Sequence, residues 1–134
     1  MNFIADTDVL IDFLRDCGNE ARRIEFELKA GGLCTTAVSA FELWVGAKST
    51  HEKSAVGTLL NALTIIPLDA PSAAVAGDVF RELESKGITI GMADSLIAGI
   101  CLHRGFMLIT RNKKHFSRIQ KLKLAGEYLT SSDE

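Results

Sequence analysis

Four short apolar runs, residues 2–5, 33–36, 64–67 and 106–109, recur along the chain, and segments of helical period separate them. This alternation is the strongest constraint on the fold. A strand that is apolar along its length needs cover on both faces, and strands joined through helices pair in parallel. The pattern predicts an α/β fold: a three-layer α/β/α sandwich with a central parallel sheet of four or five strands, the fifth at residues 121–128. In such sheets ligands bind beyond the carboxyl ends of the strands, so the chemistry is to be sought there.

The helices are placed by their punctuation. Val9, Leu10, Phe13 and Leu14 follow the first run at helical spacing. Residues 20–30 form a second helix, ended by Gly31-Gly32. Further helices are expected at 39–49 and 51–62, and Pro71 suits the first turn ahead of 72–86. A very apolar helix at 92–104 ends at Gly105. With 134 residues, 47% of them apolar, the chain reads as one domain, 1–134. At that size roughly two thirds of the unfolded surface can be buried. Residues 130–134 read as a polar tail. No run approaches the ~20 apolar residues that span a bilayer. Asp6 and Asp8 break the apolar start too early for a signal peptide. Cys17, Cys34 and Cys101 lack metal-type spacing and are expected as reduced, buried thiols. The expectation is a soluble, cytoplasmic protein with no membrane partner.

Three carboxylates sit in apolar company. Asp6 ends the first run, Glu42 lies in Ala37-Val38-Ser39-Ala40-Phe41-Glu42-Leu43-Trp44, and Asp94 lies in Gly91-Met92-Ala93-Asp94-Ser95-Leu96-Ile97. An isolated ionised carboxylate in such a place is costly to desolvate. Capping offers one compensation. Asp6 or Asp8 can cap the first helix, Ser39 with Glu42 has capping-box spacing, and Asp94 falls in a first turn where the dipole favours an acid. A divalent cation offers another. Three acids at strand-to-helix junctions would converge on one edge of a parallel sheet, and hard oxygen ligands suit Mg²⁺ or Mn²⁺. The two are compatible. His51, His103 and His115 show no paired spacing for zinc. Asp8 is a candidate ligand or a cap. Asp12 and Asp16, at successive steps of four from Asp8, read as the solvated face of a helix.

In Leu108-Ile109-Thr110-Arg111-Asn112-Lys113-Lys114-His115-Phe116 a strand runs into a polar turn. Thr110 and Asn112 are candidates to orient an acid or hold a water, or else to cap a helix. Residues 95–126 contain no acid and 7 basic side chains, whereas the rest of the chain holds 8 basic and 17 acidic ones. The net charge of −2 therefore conceals a basic segment, which is either a docking surface for a phosphate backbone or a solvated surface of ordinary basic side chains. Arg111, Lys113, Lys114 and Arg118 are its candidate contacts to such a backbone.

Together these segments resemble the PIN domain family. Phe3-Ile4-Ala5-Asp6-Thr7-Asp8-Val9-Leu10-Ile11-Asp12 resembles the first motif. Thr36-Ala37-Val38-Ser39-Ala40-Phe41-Glu42-Leu43 resembles the second, Gly91-Met92-Ala93-Asp94-Ser95-Leu96-Ile97-Ala98 the third and Thr110-Arg111-Asn112-Lys113-Lys114-His115-Phe116 the last. They occur in the family's order and cover the whole chain. A stand-alone domain of this size is most similar to VapC toxins. The resemblance implies a PIN-like sandwich and a Mg²⁺- or Mn²⁺-dependent endoribonuclease acting on structured RNA, such as transfer or ribosomal RNA. It also implies a VapB-like antitoxin whose tail covers the acidic pocket, and a homodimer. Asp6, Glu42 and Asp94 match the family's acidic positions and would be catalytic metal ligands. The last motif, where relatives often carry a fourth acid, offers Asn112 and His115. A water held by Asn112, or Asp8, would fill that place, which keeps a one-metal site and puts a second metal in question. Ser95, Thr110 and His115 join Asp8 as candidates at or behind the metal. Phe116, Trp44 and Tyr128 are candidates to stack on RNA bases, or core. Two alternatives stand beside this reading. One is an inactive PIN fold that binds RNA or protein. The other is a haloacid-dehalogenase-like phosphatase, whose opening Asp6-Thr7-Asp8 approximates but whose downstream lysine and acidic pair find no match.

Overall fold

Each of the four apolar runs becomes a strand in a computed structural model that describes residues 2–126: β1 (Phe3–Ala5), β2 (Leu33–Thr36), β3 (Thr64–Ile66) and β4 (Met107–Ile109). They form one parallel sheet in the order β3-β2-β1-β4. Seven helices accompany them among the described residues: α1 (Thr7–Leu14), α2 (Ala21–Ala30), α3 (Ala37–Gly46), α4 (Thr50–Ala62), α5 (Ala70–Ser85), α6 (Met92–Arg104) and α7 (Lys113–Phe116).

Strand alternation divides the interior into two cores. Ile4, Cys34 and Leu108 face Val79 and Leu83 of α5 and Ile97 and Ile100 of α6. Ala5, Leu33 and Ile109 face Val9 and Leu10 of α1, Ile24 of α2, Leu43 of α3 and Leu59 of α4. The result is the expected three-layer arrangement. Its tightest contact joins α5 to α6. A Cβ added to Gly99 would lie 2.6 Å from the Ala76 Cβ and 2.7 Å from the Ser72 carbonyl oxygen, so the two helices approach only because that position has no side chain. Local chemistry fixes where α5 starts: the Asp69 carboxylate accepts from the Ser72 N–H at 3.0 Å, with Pro71 in the first turn.

The structure corrects several expectations. Of the four or five strands expected, four form among the described residues. Residues 121–126 contribute a single parallel bridge, Leu108 to Leu124, and the remainder of the expected fifth strand lies outside the described residues. Tyr128 and the tail lie outside the described residues. The β3 strand is an edge strand and not covered on both faces: Thr64 and Ile65 are exposed. The helix expected from Ser39 begins at Ala37, because Thr36, still extended at the end of β2, caps it by accepting from the Ser39 N–H at 3.0 Å. Glu42 is therefore too deep in the helix to close a capping box. That motif forms instead at Ser49 and Glu52 of α4. Cys34 and Cys101 are buried as expected, but Cys17, beyond the end of α1, is exposed. No described helix is long and apolar enough to cross a membrane.

Candidate active site

Parallel register decides which side chains share the carboxyl edge of the sheet. Ala5 pairs with Ile109, and Ile4 with Cys34. Continuing both ladders by a residue or two puts Asp6, Thr36 and Thr110 in one row, where β1, β2 and β4 end side by side. The Asp6 N–H donates to the Ile109 carbonyl at 2.9 Å, holding the chain in register through that row.

Asp6 is the centre of the edge. It is 5% exposed, and its two oxygens are held separately. One accepts from the Thr7 N–H at 2.9 Å, which makes Asp6 the cap of α1. The other accepts from the buried Thr110 hydroxyl at 2.8 Å. Burial, and then the neighbouring Asp8 carboxylate, push the Asp6 carboxyl up from 3.8 to about 7. The Thr110 hydroxyl and the Thr7 N–H pull the other way, and Asp94 adds a smaller push upward. Asp8 is raised as well, chiefly by burial, against the Arg111 N–H that donates to both of its oxygens at 3.2 and 3.4 Å. Thr110 also lies 3.4 Å from Asp8, and its oxygen accepts from the Asn112 N–H at 3.0 Å. Asp6, Asp8, Thr110 and the turn that follows thus form one hydrogen-bonded unit.

The other two acids come from helices. Glu42, one turn into α3, accepts from the Thr7 hydroxyl at 2.6 Å, and the Ser39 hydroxyl lies 2.9 Å from that same Thr7 oxygen. Asp94, in the first turn of α6, has an oxygen 3.2 Å from His115 Nε2. Both acids are only half-buried. The two candidates for the missing fourth acid therefore part company. His115 meets an acid, whereas Asn112 enters through its backbone and its side chain makes no cap bond at the start of α7. The Ser95 hydroxyl turns back onto the Met92 carbonyl at 2.7 Å and does not join the acids.

Among the described residues, no three His, Cys, Asp or Glu side chains are grouped closely enough to cage a metal ion as they stand. The donor chemistry nevertheless fits a hard divalent cation. A carboxylate is buried beside two others, and only neutral donors meet it directly. That is the arrangement a cation relieves.

Of the basic candidates, Arg111 joins this edge through its N–H to Asp8. Arg111, Lys114 and Arg118 are exposed, and Lys113 is half-buried. Phe116 is a core side chain, 1% exposed, which removes it as a stacking platform, whereas Trp44 is 47% exposed on α3. One residue was misread from sequence. Asp12 is not on a solvated face but 8% exposed, with an oxygen 3.5 Å from Arg111 Nε. The available signal was Gly18, whose left-handed turn (φ 87°) folds the chain back over Asp12 so closely that a Cβ there would lie 2.8 Å from its carboxylate oxygen.

Comparison with known proteins bears on this geometry. Residues 3–122 match the family model described as PIN domain. The chain is 26% identical over 127 residues to a Shigella flexneri protein named tRNA(fMet)-specific endonuclease VapC, covering 92% of this chain and 96% of that one. It is 27% identical over 121 residues to Ribonuclease VapC1 of Methanocaldococcus jannaschii, covering 90% of this chain and 83% of that one. Among solved structures, VapBC2 from Rickettsia felis, bound to a DNA fragment from its promoter, aligns with a TM-score of 0.84 at 28% identity, over 93% of this chain and 98% of that one. DNA-bound VapBC from Salmonella typhimurium aligns with a TM-score of 0.82 at 25% identity, over 93% and 97%.

Proposed function

The chain belongs to the PIN domain family, and from that premise we propose that it is a metal-dependent endoribonuclease, the toxin of a VapBC-like toxin–antitoxin pair. The observation that carries this reading is Asp6: a carboxylate buried at the sheet edge beside Asp8 and Asp94, its pKa pushed to about 7. Burial of that kind is costly in a purely structural role and useful where a cation and a phosphodiester meet. Asp6, Asp94 and Glu42 would hold Mg²⁺ or Mn²⁺, with Asp8 and Thr110 behind them. When bound, such an ion offsets phosphate charge and lowers the pKa of water.

The protein's own groups do the positioning. The Thr110 hydroxyl and the Thr7 N–H fix both oxygens of Asp6. The Thr7 hydroxyl steers Glu42 toward the same edge. His115 Nε2 lies 3.2 Å from an Asp94 oxygen. Arg111, Lys113, Lys114 and Arg118 engage the RNA backbone, which orients the substrate but reads little sequence. In-line attack by water leaves a 5′-phosphate and a 3′-hydroxyl. The substrate is structured RNA of the transfer or ribosomal class. The partner is a VapB-like antitoxin, and the working form is a cytoplasmic homodimer.

The test is incubation of total cellular RNA with purified, antitoxin-free protein in Mn²⁺, Mg²⁺ or EDTA, with Asp94→Asn as control. Discrete fragments should appear only with metal and vanish in the variant. A second reading, an inactive PIN fold that binds RNA or protein, rests on the lack of a ready three-acid cage among the described residues. Folded protein that cleaves nothing under any of these conditions would establish that reading instead. Nothing in the fold favours the phosphatase.

A further inference from the structure

We propose that Asp12 is a positioning residue that aims Arg111 at the RNA backbone. This rests on the ribonuclease reading only in so far as RNA is the ligand. Asp12 is a buried carboxylate outside the metal-binding set, and its side chain is 11% exposed. Arg111 Nε lies 3.5 Å from its Oδ2, while 66% of the Arg111 side chain remains open to solvent. The ion pair uses one edge of the guanidinium. The guanidinium also acts electrostatically on the Asp8 carboxylate, but among the described residues no hydrogen bond engages its terminal nitrogens, which stay available for the fork-like contact that arginine makes with phosphate.

The backbone serves the same end. The Arg111 N–H is fixed on the Asp8 carboxylate, so the residue is tethered at its main chain and again at its side chain. Asp12 is itself held in place. The Cys17 N–H closes on the Asp12 carbonyl at 2.9 Å, and Gly18, with a φ of 87°, packs over the carboxylate where a side chain would not fit. A long cation held at two points beside an acidic edge loses less freedom on meeting a phosphodiester than an untethered one.

The measurement is fluorescence anisotropy with labelled bulk bacterial transfer RNA in EDTA, so that binding is read without cleavage. Variants are Asp12→Asn, Arg111→Ala, Arg111→Lys and the pairings of Asp12→Asn with each, with circular dichroism to check folding. Asp12→Asn and Arg111→Ala should each weaken binding about three- to five-fold, and together no more than Arg111→Ala alone. A lysine ammonium lacks the planar guanidinium that offers one edge to a carboxylate and a fork of nitrogens to a phosphate. In the Arg111→Lys background, Asp12→Asn should therefore change nothing. For any RNA that is cleaved, Asp12→Asn should raise KM more than it lowers kcat. Additive losses, an Asp12 effect that persists with lysine, or no binding by the unaltered protein would each overturn the proposal. Should Asp12→Asn fail to fold, unchanged binding by Arg111→Ala would overturn it as well. Failed cleavage with this binding pattern intact would refute the nuclease reading alone.

Discussion

The α5–α6 contact and the acidic edge of the sheet both lie in the interior, yet burial works in opposite directions in the two. Where α5 meets α6, Gly99 lets Ala76 approach to packing distance, and the neighbouring Ile97, Ile100, Val79 and Leu83 are apolar. Removing such surfaces from water stabilises the fold. At the sheet edge the buried group is Asp6, whose charge burial disfavours. One region stabilises the fold, and the other uses that stability to hold carboxylates at the edge proposed as the active site. The contrast also runs within the site. Asp6 and Thr110 sit at strand ends and are fixed by register, whereas Glu42 and Asp94 ride on helices, half-exposed.

The sharpest way to break the comparison is Asp6→Asn. In the metal-free fold Asp6 keeps its proton to about 7, while in the unfolded chain it releases it near 3.8. Between those values the unfolded state binds fewer protons, so its contribution to stability, fully present below 3.8, is lost as pH rises toward about 7. Asp6→Asn should flatten that slope and raise stability above neutral pH by on the order of 1–3 kcal/mol. It should also cut metal-dependent cleavage by about a hundred-fold or more. Chemical denaturation across pH, in EDTA, reads the first effect. A variant less stable at pH 8 than the parent would show that Asp6 is structural.

Gly99→Ala should act with the reverse sign. The added methyl has no room against Ala76, and overpacking of this kind costs about 1–3 kcal/mol. Urea denaturation should show the loss, with cleavage per folded molecule unchanged. A neutral result would mean that α5 and α6 separate at little cost, and the contrast between the regions would fail.

The smallest effect belongs to the exposed rim. Replacing Lys113 and Lys114 together by alanine should leave stability within about 0.5 kcal/mol. RNA binding should weaken mainly at low salt, with the salt slope reduced by about one to two. Binding indifferent to salt would remove this segment from the RNA interface.

Much of the site was legible because it follows local rules. Asp6 stands where an apolar run meets a helical pattern, and Asp94 opens a helix already marked by Gly91. Thr110 was visible as a polar residue ending a strand. Asp12 was not. Its spacing from Asp8 and Asp16 is that of an exposed helix face, and only the fold-back at Gly18 buries it. Ser39 and Glu42 matched a capping box, but Thr36 reaches the helix start first. Of the optional fifth strand, the described residues show one parallel bridge, Leu108 to Leu124.

The sequence by itself determined four strands, most of the helices and the place of Asp6 at a strand-to-helix junction, because periodicity, caps and turn residues act over a few neighbours. Asp94, expected at such a junction, instead opens α6 after a loop from α5, with no strand between the two. Tertiary structure alone decided the order β3-β2-β1-β4 and the partner of each polar group. Thr110 meets Asp6 across 104 residues, Thr7 meets Glu42 across 35, and Arg111 meets Asp12. Those meetings depend on parallel register and on crossovers that carry distant segments to one edge of the sheet, and no local pattern encodes them.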